Sequence, residues 1–142
     1  MGVKVLEDRQ DKMYEMEALM RHVYKKLRQE MNTVYENELS RNEFFILKTL
    51  FETGSKKASD LSKLLNVSAS HITAVTDVLI EKEWIERVRS DKDRRIVDIH
   101  LTEEGKKTLE LFEKKKTNFL LNKFENLNDL EIESFIQVLK KL

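Results

Sequence analysis

Met13, Met16, Met20, Val23, Leu27, Met31 and Val34 recur at steps of three or four residues. That spacing lays one apolar stripe along a helix of about seven turns, from near Arg9 to Asn37. So long a helix is hard to bury in one small monomer, which points to a role between subunits. Ser40-Arg41-Asn42-Glu43 has the form of a capping box, and Phe44, Leu47, Leu50 and Phe51 follow it at helical spacing. Gly54 ends this second helix by accepting a left-handed conformation. Leu61, Leu64 and Leu65 mark a short third helix from Ala58 to Asn66, and Asn66 suits the left-handed position of a tight turn. Ser68 then caps a fourth helix, Ala69 to Glu83, with Ile72, Val75 and Leu79 as its buried row. Two short helices around a tight turn suggest a helix-turn-helix.

The period then changes to two. Trp84 to Arg89 and Arg95 to Leu101 read as strands, the second alternating Val97, Ile99 and Leu101 with Asp98 and His100. The apolar-free segment Ser90 to Arg94 between them predicts a hairpin with a solvated tip. Thr102 caps a fifth helix that reaches about Glu125, and Glu103 and Glu104 sit favourably at its positive end. Asn128 to Glu131 opens a sixth helix with a capping box of the Asn type, and Ile132, Phe135, Ile136 and Leu139 form its apolar face. The fold class is therefore mainly α with a small β-hairpin wing. Residues 1–39 form an N-terminal helical region, 40–101 a winged helix-turn-helix and 102–142 two C-terminal helices, in one compact domain overall.

Composition narrows this further. The 142 residues fit one domain, and 3 Gly with no Pro argue against long loops and hairpin-rich architecture. The absence of Cys excludes disulfides, zinc-thiolate sites and a thiol switch. The opening residues are charged throughout and lack the apolar region of a signal peptide, and Leu6 stands where a myristoylation signal needs Ser or Thr. No apolar run approaches a membrane span. The expectation is a cytoplasmic protein with no membrane partner.

With 26 basic and 26 acidic residues the net charge is zero, so any polyanion must be met by sorted charge rather than by the overall field. Residues 56 to 95 hold nine Lys/Arg and seven Asp/Glu, and five of the nine bases fall between Arg87 and Arg95. The fourth helix turns Ser70, Thr73, Ala74 and Asp77 away from its buried row, with His71 on the flank. Ser68, Ser70, His71 and Thr73 are short donors and acceptors of the kind that read a major groove. Asp77 would repel phosphate and is expected beyond the deepest contact or paired with a base. Arg89, Lys92, Arg94 and Arg95 supply the wing, where an arginine can enter a narrow minor groove. Singly, such caps and charged tips are structural; in this order they favour binding to double-stranded DNA.

From Ser40 to Lys107 the chain resembles the MarR family of winged-helix transcription regulators. Trp84 to Gly105 carries the family's wing signature: an Arg entering the hairpin, Asp93-Arg94-Arg95 at its tip, and Leu101-Thr102-Glu103-Glu104-Gly105 opening the next helix. Ser68-Ala69-Ser70-His71-Ile72-Thr73 resembles the start of its recognition helix. The resemblance implies a homodimer joined by the first, fifth and sixth helices. It also implies a repressor that binds a pseudo-palindromic operator, with half-sites about one helical turn apart. Arg95 matches the family's minor-groove arginine, and Asp93 the acid that steadies the wing. Two positions depart from the pattern: Ala74 replaces a frequent Arg, and Glu83 replaces a frequent Gly, which puts strain or a different cap at the end of the recognition helix. Many family members respond to a small aromatic or anionic effector; the corresponding lining here is Tyr24, Tyr35, Phe44, Phe45 and Phe112, although each also reads as core.

No catalytic motif is present: there is no G-x-S-x-G elbow, phosphate-binding Gly loop or H-E-x-x-H. Asp98 and His100 share one strand face, but with no third ligand in reach they read as a solvated face. The chain is accordingly expected to be no enzyme and to need no cofactor or metal. The alternative reading is a helical protein-interaction module without DNA binding, and the basic wing argues against it.

Overall fold

The computed structural model describes residues 2–142; Met1, at the start of the predicted N-terminal region, lies outside the described residues. The elements are α1 (Gly2–Val34), α2 (Arg41–Thr53), β1 (Lys56–Lys57), α3 (Ala58–Leu65), α4 (Ala69–Glu81), β2 (Ile85–Arg89), β3 (Val97–Leu101), α5 (Glu103–Lys123) and α6 (Asp129–Leu139). The six predicted helices and the hairpin are all there, in order.

The helix starts follow their local chemistry. Ser40 accepts a hydrogen bond from the Glu43 N–H at 3.1 Å, and the Glu43 carboxylate accepts one from the Ser40 N–H at 3.1 Å, completing the capping box. Ser68, Thr102 and Asn128 cap α4, α5 and α6 by accepting from the N–H groups of His71, Gly105 and Glu131. The ends differ more from expectation. Helix α1 stops at Val34, because Glu36 and Asn37 turn to φ 53° and 58°. Gly54 has φ 82° and ψ −170°, an extended conformation open to glycine and not the left-handed one expected. Asn66 does take the left-handed position, at φ 54° and ψ 49°.

Helix α4 ends at Glu81 rather than Glu83, since Glu83 itself turns to φ 64°. Its carbonyl accepts from the Thr102 hydroxyl at 2.7 Å, and the Trp84 carbonyl accepts from the Thr102 N–H at 3.1 Å. The start of α5 is thereby pinned beneath the end of α4. Gly105 completes the joint: a Cβ there would lie 2.0 Å from the Trp84 carbonyl oxygen. The two strands are shorter than expected, starting at Ile85 and Val97. A third strand, β1, is two residues long, too short to show a period; it pairs antiparallel with β3, giving the order β1-β3-β2.

The core lies where α2, α4, α5 and the sheet meet, with Ile46, Leu47, Leu61, Ile72, Leu79 and Phe112 at its centre. The buried row of α4 is Ile72, Thr76 and Leu79; Val75 is only half-buried, a correction to the predicted row. A threonine fits there because its hydroxyl donates back to the Ile72 carbonyl at 2.8 Å. Phe51 and Leu64, read as core-facing, are 50% and 55% exposed. Neither α1 nor α6 buries a single residue fully, although both carry apolar stripes.

Two predictions concern stability. A left-handed conformation costs a residue with a Cβ about 1 kcal/mol. Glu83→Gly should therefore raise stability by about 1 kcal/mol, seen as a higher urea midpoint at unchanged m-value. Burial, aided by the nearby Glu113 carboxylate, raises the Tyr35 hydroxyl to about 12 from an ordinary value near 10. The unfolded chain then ionises first, so stability is intact below about pH 10 and falls as pH rises toward 12. Tyr35→Phe should make the stability profile flatter than wild type across that interval.

Candidate nucleic-acid interface

Helix α3 and the turn at Asn66 set the direction of α4. The Asn66 N–H donates to the Lys63 carbonyl and the Val67 N–H to the Ser62 carbonyl, which closes the turn against α3. With Ile72, Thr76 and Leu79 buried, Ser70, His71, Thr73, Ala74 and Asp77 are all exposed. This is the face expected from the sequence. Its hydroxyls are partly engaged. Ser68 caps the helix and lies 3.1 Å from the Ser70 hydroxyl, and Thr73 donates to the Ala69 carbonyl at 2.9 Å. The His71 ring Nε2 lies 3.1 Å from Nδ2 of Asn42, on the first turn of α2.

Asp77 is paired with a base, one of the two outcomes expected for it. The Arg87 guanidinium donates to its carboxylate at 2.5 Å and reaches the Thr76 hydroxyl at 3.4 Å. This pair joins the recognition helix to the first strand of the wing, so Arg87 acts as a brace. In the register of the hairpin, Arg87 lies opposite Ile99 and Arg89 opposite Val97. The Arg89 guanidinium donates to the Arg94 carbonyl at 3.1 Å, which holds the loop closed. Asp93 organises the tip: its carboxylate accepts from the Arg95 N–H at 3.0 Å, and its carbonyl accepts from the Ile96 N–H. The Arg95 side chain extends from that turn 93% exposed, with only a long 3.4 Å contact from its Nε to Asp93. Lys92 and Arg94 flank it on the same loop, Arg94 exposed and Lys92 at the tip.

Lys56 and Lys57, which no sequence period marks, stand on β1 at the start of α3. Lys57 lies opposite Asp98 across the sheet. Asp98 thus has an ammonium-bearing residue as its cross-strand neighbour, and His100 lies opposite Glu86. Among the described residues no group of three His, Asp or Glu side chains could hold a metal ion.

The five aromatic residues expected to line an effector site do not come together as one. Tyr35 stacks on Phe44 with ring centres 5.7 Å apart and meets Phe112 edge-on at 5.2 Å. Those three build the core and its margin. Tyr24 and Phe45 are 57% and 40% exposed, and the Tyr24 hydroxyl accepts from Arg41 at 2.8 Å. A groove of about 280 Å³ lies instead between α2 and α5, lined by Lys48, Phe51, Leu109 and Glu113 among others. In it the Lys48 ammonium donates to the Glu113 carboxylate at 2.7 Å. That hydrogen bond holds the Lys48 ammonium above the usual lysine range. Glu113 falls below the usual carboxylate range: its partial burial pulls upward, and Lys48 and Lys116 together outweigh it.

Comparison with known proteins gives this geometry a family. The MarR family model matches residues 39–97. The chain is 52% identical over 130 residues to the uncharacterized HTH-type transcriptional regulator YpoP of Bacillus subtilis, covering 92% of each chain. It is 32% identical over 127 residues to the transcriptional repressor MprA of Escherichia coli, covering 87% of this chain and 72% of that one. Among solved structures, a MarR family protein from Bacillus stearothermophilus superposes with a TM-score of 0.81 at 27% identity, covering 93% of both chains. The fold is also that of a mutant MarR from Escherichia coli complexed with operator DNA, at a TM-score of 0.72 and 23% identity, over 92% of this chain and 94% of that one. A relative at 52% identity across nearly the whole length, together with the family model over the winged helix-turn-helix, leaves one conclusion: the chain belongs to the MarR family of transcriptional regulators.

Proposed function

We propose that this chain works as a homodimeric repressor in the cytoplasm, binding a pseudo-palindromic operator in double-stranded DNA. The observation that carries the proposal is the pairing of two exposed features on one braced unit. The polar face of α4 and the Arg95-tipped wing are held together by the Arg87–Asp77 ion pair. A helix of this size fits the major groove, and an arginine at the wing tip suits the narrow, strongly negative minor groove. MprA is named a repressor, and the mutant MarR that shares this fold is complexed with operator DNA. The DNA contacts assigned are Ser68, Ser70, His71, Thr73, Arg89, Lys92, Arg94 and Arg95. Ser68, Ser70, Thr73 and Arg89 contribute mainly by shaping the surface, since their side chains are already engaged.

Dimerisation is supported by the surface left uncovered. Leu19, Met20, Leu121, Phe135 and Leu139, on α1, α5 and α6, are each half or more exposed. An apolar surface of this extent marks an association site. Regions 1–39 and 102–142 would join the protomers, and 40–101 would meet DNA. Release by a small molecule is the third part of the proposal, and the α2–α5 groove beside Lys48 is its supporting feature. No helix among the described residues is long and apolar enough to cross a membrane. Catalysis has no part in the proposal.

Selection of genomic fragments with the purified protein should return one recurrent, near-palindromic site. Recovery of helical protein partners and no enriched DNA would favour the interaction-module reading. On the selected site, Arg95→Ala should weaken binding by about 1–3 kcal/mol without changing thermal stability. Wild-type affinity should fall steeply with salt, by about 0.9 log units per log unit of salt for each phosphate neutralised. Leu139→Glu, at a position that is 50% exposed in the single chain, should shift the mass in solution toward monomer while helical content is kept.

A further inference from the structure

The first three residues of α2 reach three different places. The Arg41 guanidinium donates to the Tyr24 hydroxyl on α1, Asn42 meets His71 at the start of α4, and the Glu43 carboxylate meets the Lys82 ammonium at the end of α4, 3.3 Å away. Lys82 also donates to the Glu38 carbonyl at 2.6 Å. The capping box fixes the backbone of this turn from within, and so the point from which Asn42 reaches His71.

Its contact has a chemical consequence. With the Asn42 amide in this orientation its nitrogen donates, and the His71 Nε2 that it faces at 3.1 Å accepts. A neutral imidazole that accepts at Nε2 carries its proton on Nδ1. We propose that Asn42 is a positioning residue for DNA reading, which holds the exposed ring of His71 in the Nδ1–H tautomer, with Nδ1 as the donor. This rests on the DNA-binding reading above and assigns one position within it. A single donor in the major groove suits the N7 or O6 of guanine, the N7 of adenine or the O4 of thymine, and is refused by the cytosine amino group. Without Asn42 the ring would interconvert between tautomers, present either a donor or an acceptor, and discriminate less.

The test has two arms. Proton–nitrogen correlation spectra of the full-length protein at about pH 8, above the ordinary imidazole range, report the His71 tautomer without DNA. Wild type should show the Nδ1–H form, and Asn42→Ala a mixture dominated by Nε2–H. A wild-type Nε2–H signal would overturn the proposal. In the second arm, wild type, Asn42→Ala, His71→Ala and the double variant are titrated against the selected operator carrying every single-base change. Asn42→Ala should flatten roughly fivefold or more of the preference at the position that His71→Ala also flattens. The double variant should lose nothing beyond His71→Ala alone. A merely structural role would instead weaken all sites evenly, or shift the melting temperature, and would count against the proposal. If wild type selects no site at all, the DNA-binding reading falls. If it selects one and Asn42→Ala reads it unchanged, only the role given to Asn42 falls.

Discussion

The joint at Thr102 is the constraint on which the rest of the molecule depends. One residue donates its hydroxyl to the Glu83 carbonyl, donates its N–H to the Trp84 carbonyl and accepts from the Gly105 N–H. The end of the recognition helix, the root of the wing and the start of α5 are therefore one rigid corner. Gly105 is required because the Trp84 carbonyl occupies the space a Cβ would take. Glu83 makes its left-handed turn at the same corner, where the Thr102 hydroxyl holds its carbonyl. A displacement of α5 must then be felt by α4 and the wing together.

Local chemistry made much of this legible in the chain itself. Ser40, Ser68, Thr102 and Asn128 cap helices in the sequence and in the structure alike, because a cap depends on residues three positions away and on little else. The departure at Glu83 was readable as strain and became a positive φ. What failed to show were features set by distant partners. Thr76 is buried because its hydroxyl has a carbonyl within its own helix, and a polarity pattern reads it as exposed. Strand β1 exists because β3 offers an edge to Lys56 and Lys57, and two residues carry no period. Tyr35, Phe44 and Phe112 could be core or pocket by spacing alone; in the fold they stack on one another, with Tyr35 and Phe112 buried. Asn42 and His71 are 29 residues apart, and no motif joins them.

Helices α1 and α6 leave their apolar stripes uncovered in the single chain. Hydrophobic stripes at helical spacing normally mark a buried face. Here they are present and uncovered, so the sequence pattern was correct while its usual consequence was absent. Phe135 is 59% exposed and Leu121 66%. Leaving these groups in water forgoes about 25 cal/mol per Å² of apolar surface. In the proposed dimer a second copy would cover these groups, and stability would then depend on protein concentration.

The zero net charge has its explanation in where the pairs form. Lys48, Lys82, Lys116 and Lys123 meet Glu113, Glu43, Glu113 and Glu30 on or between the scaffold helices. Three of these contacts join elements distant in the chain, and the Lys116–Glu113 contact lies within α5. The wing is arranged differently. Arg87 is held by Asp77, but Arg95 makes only a long contact to Asp93 and stays exposed, next to Arg94. A protein with no overall attraction for a polyanion thus presents a small positive point at one place. Its non-specific hold on DNA should be weak, since that hold scales with phosphates neutralised. On the proposed reading, discrimination falls to the few side chains whose donors and acceptors are fixed in advance, and the neutral sum becomes a means to selectivity.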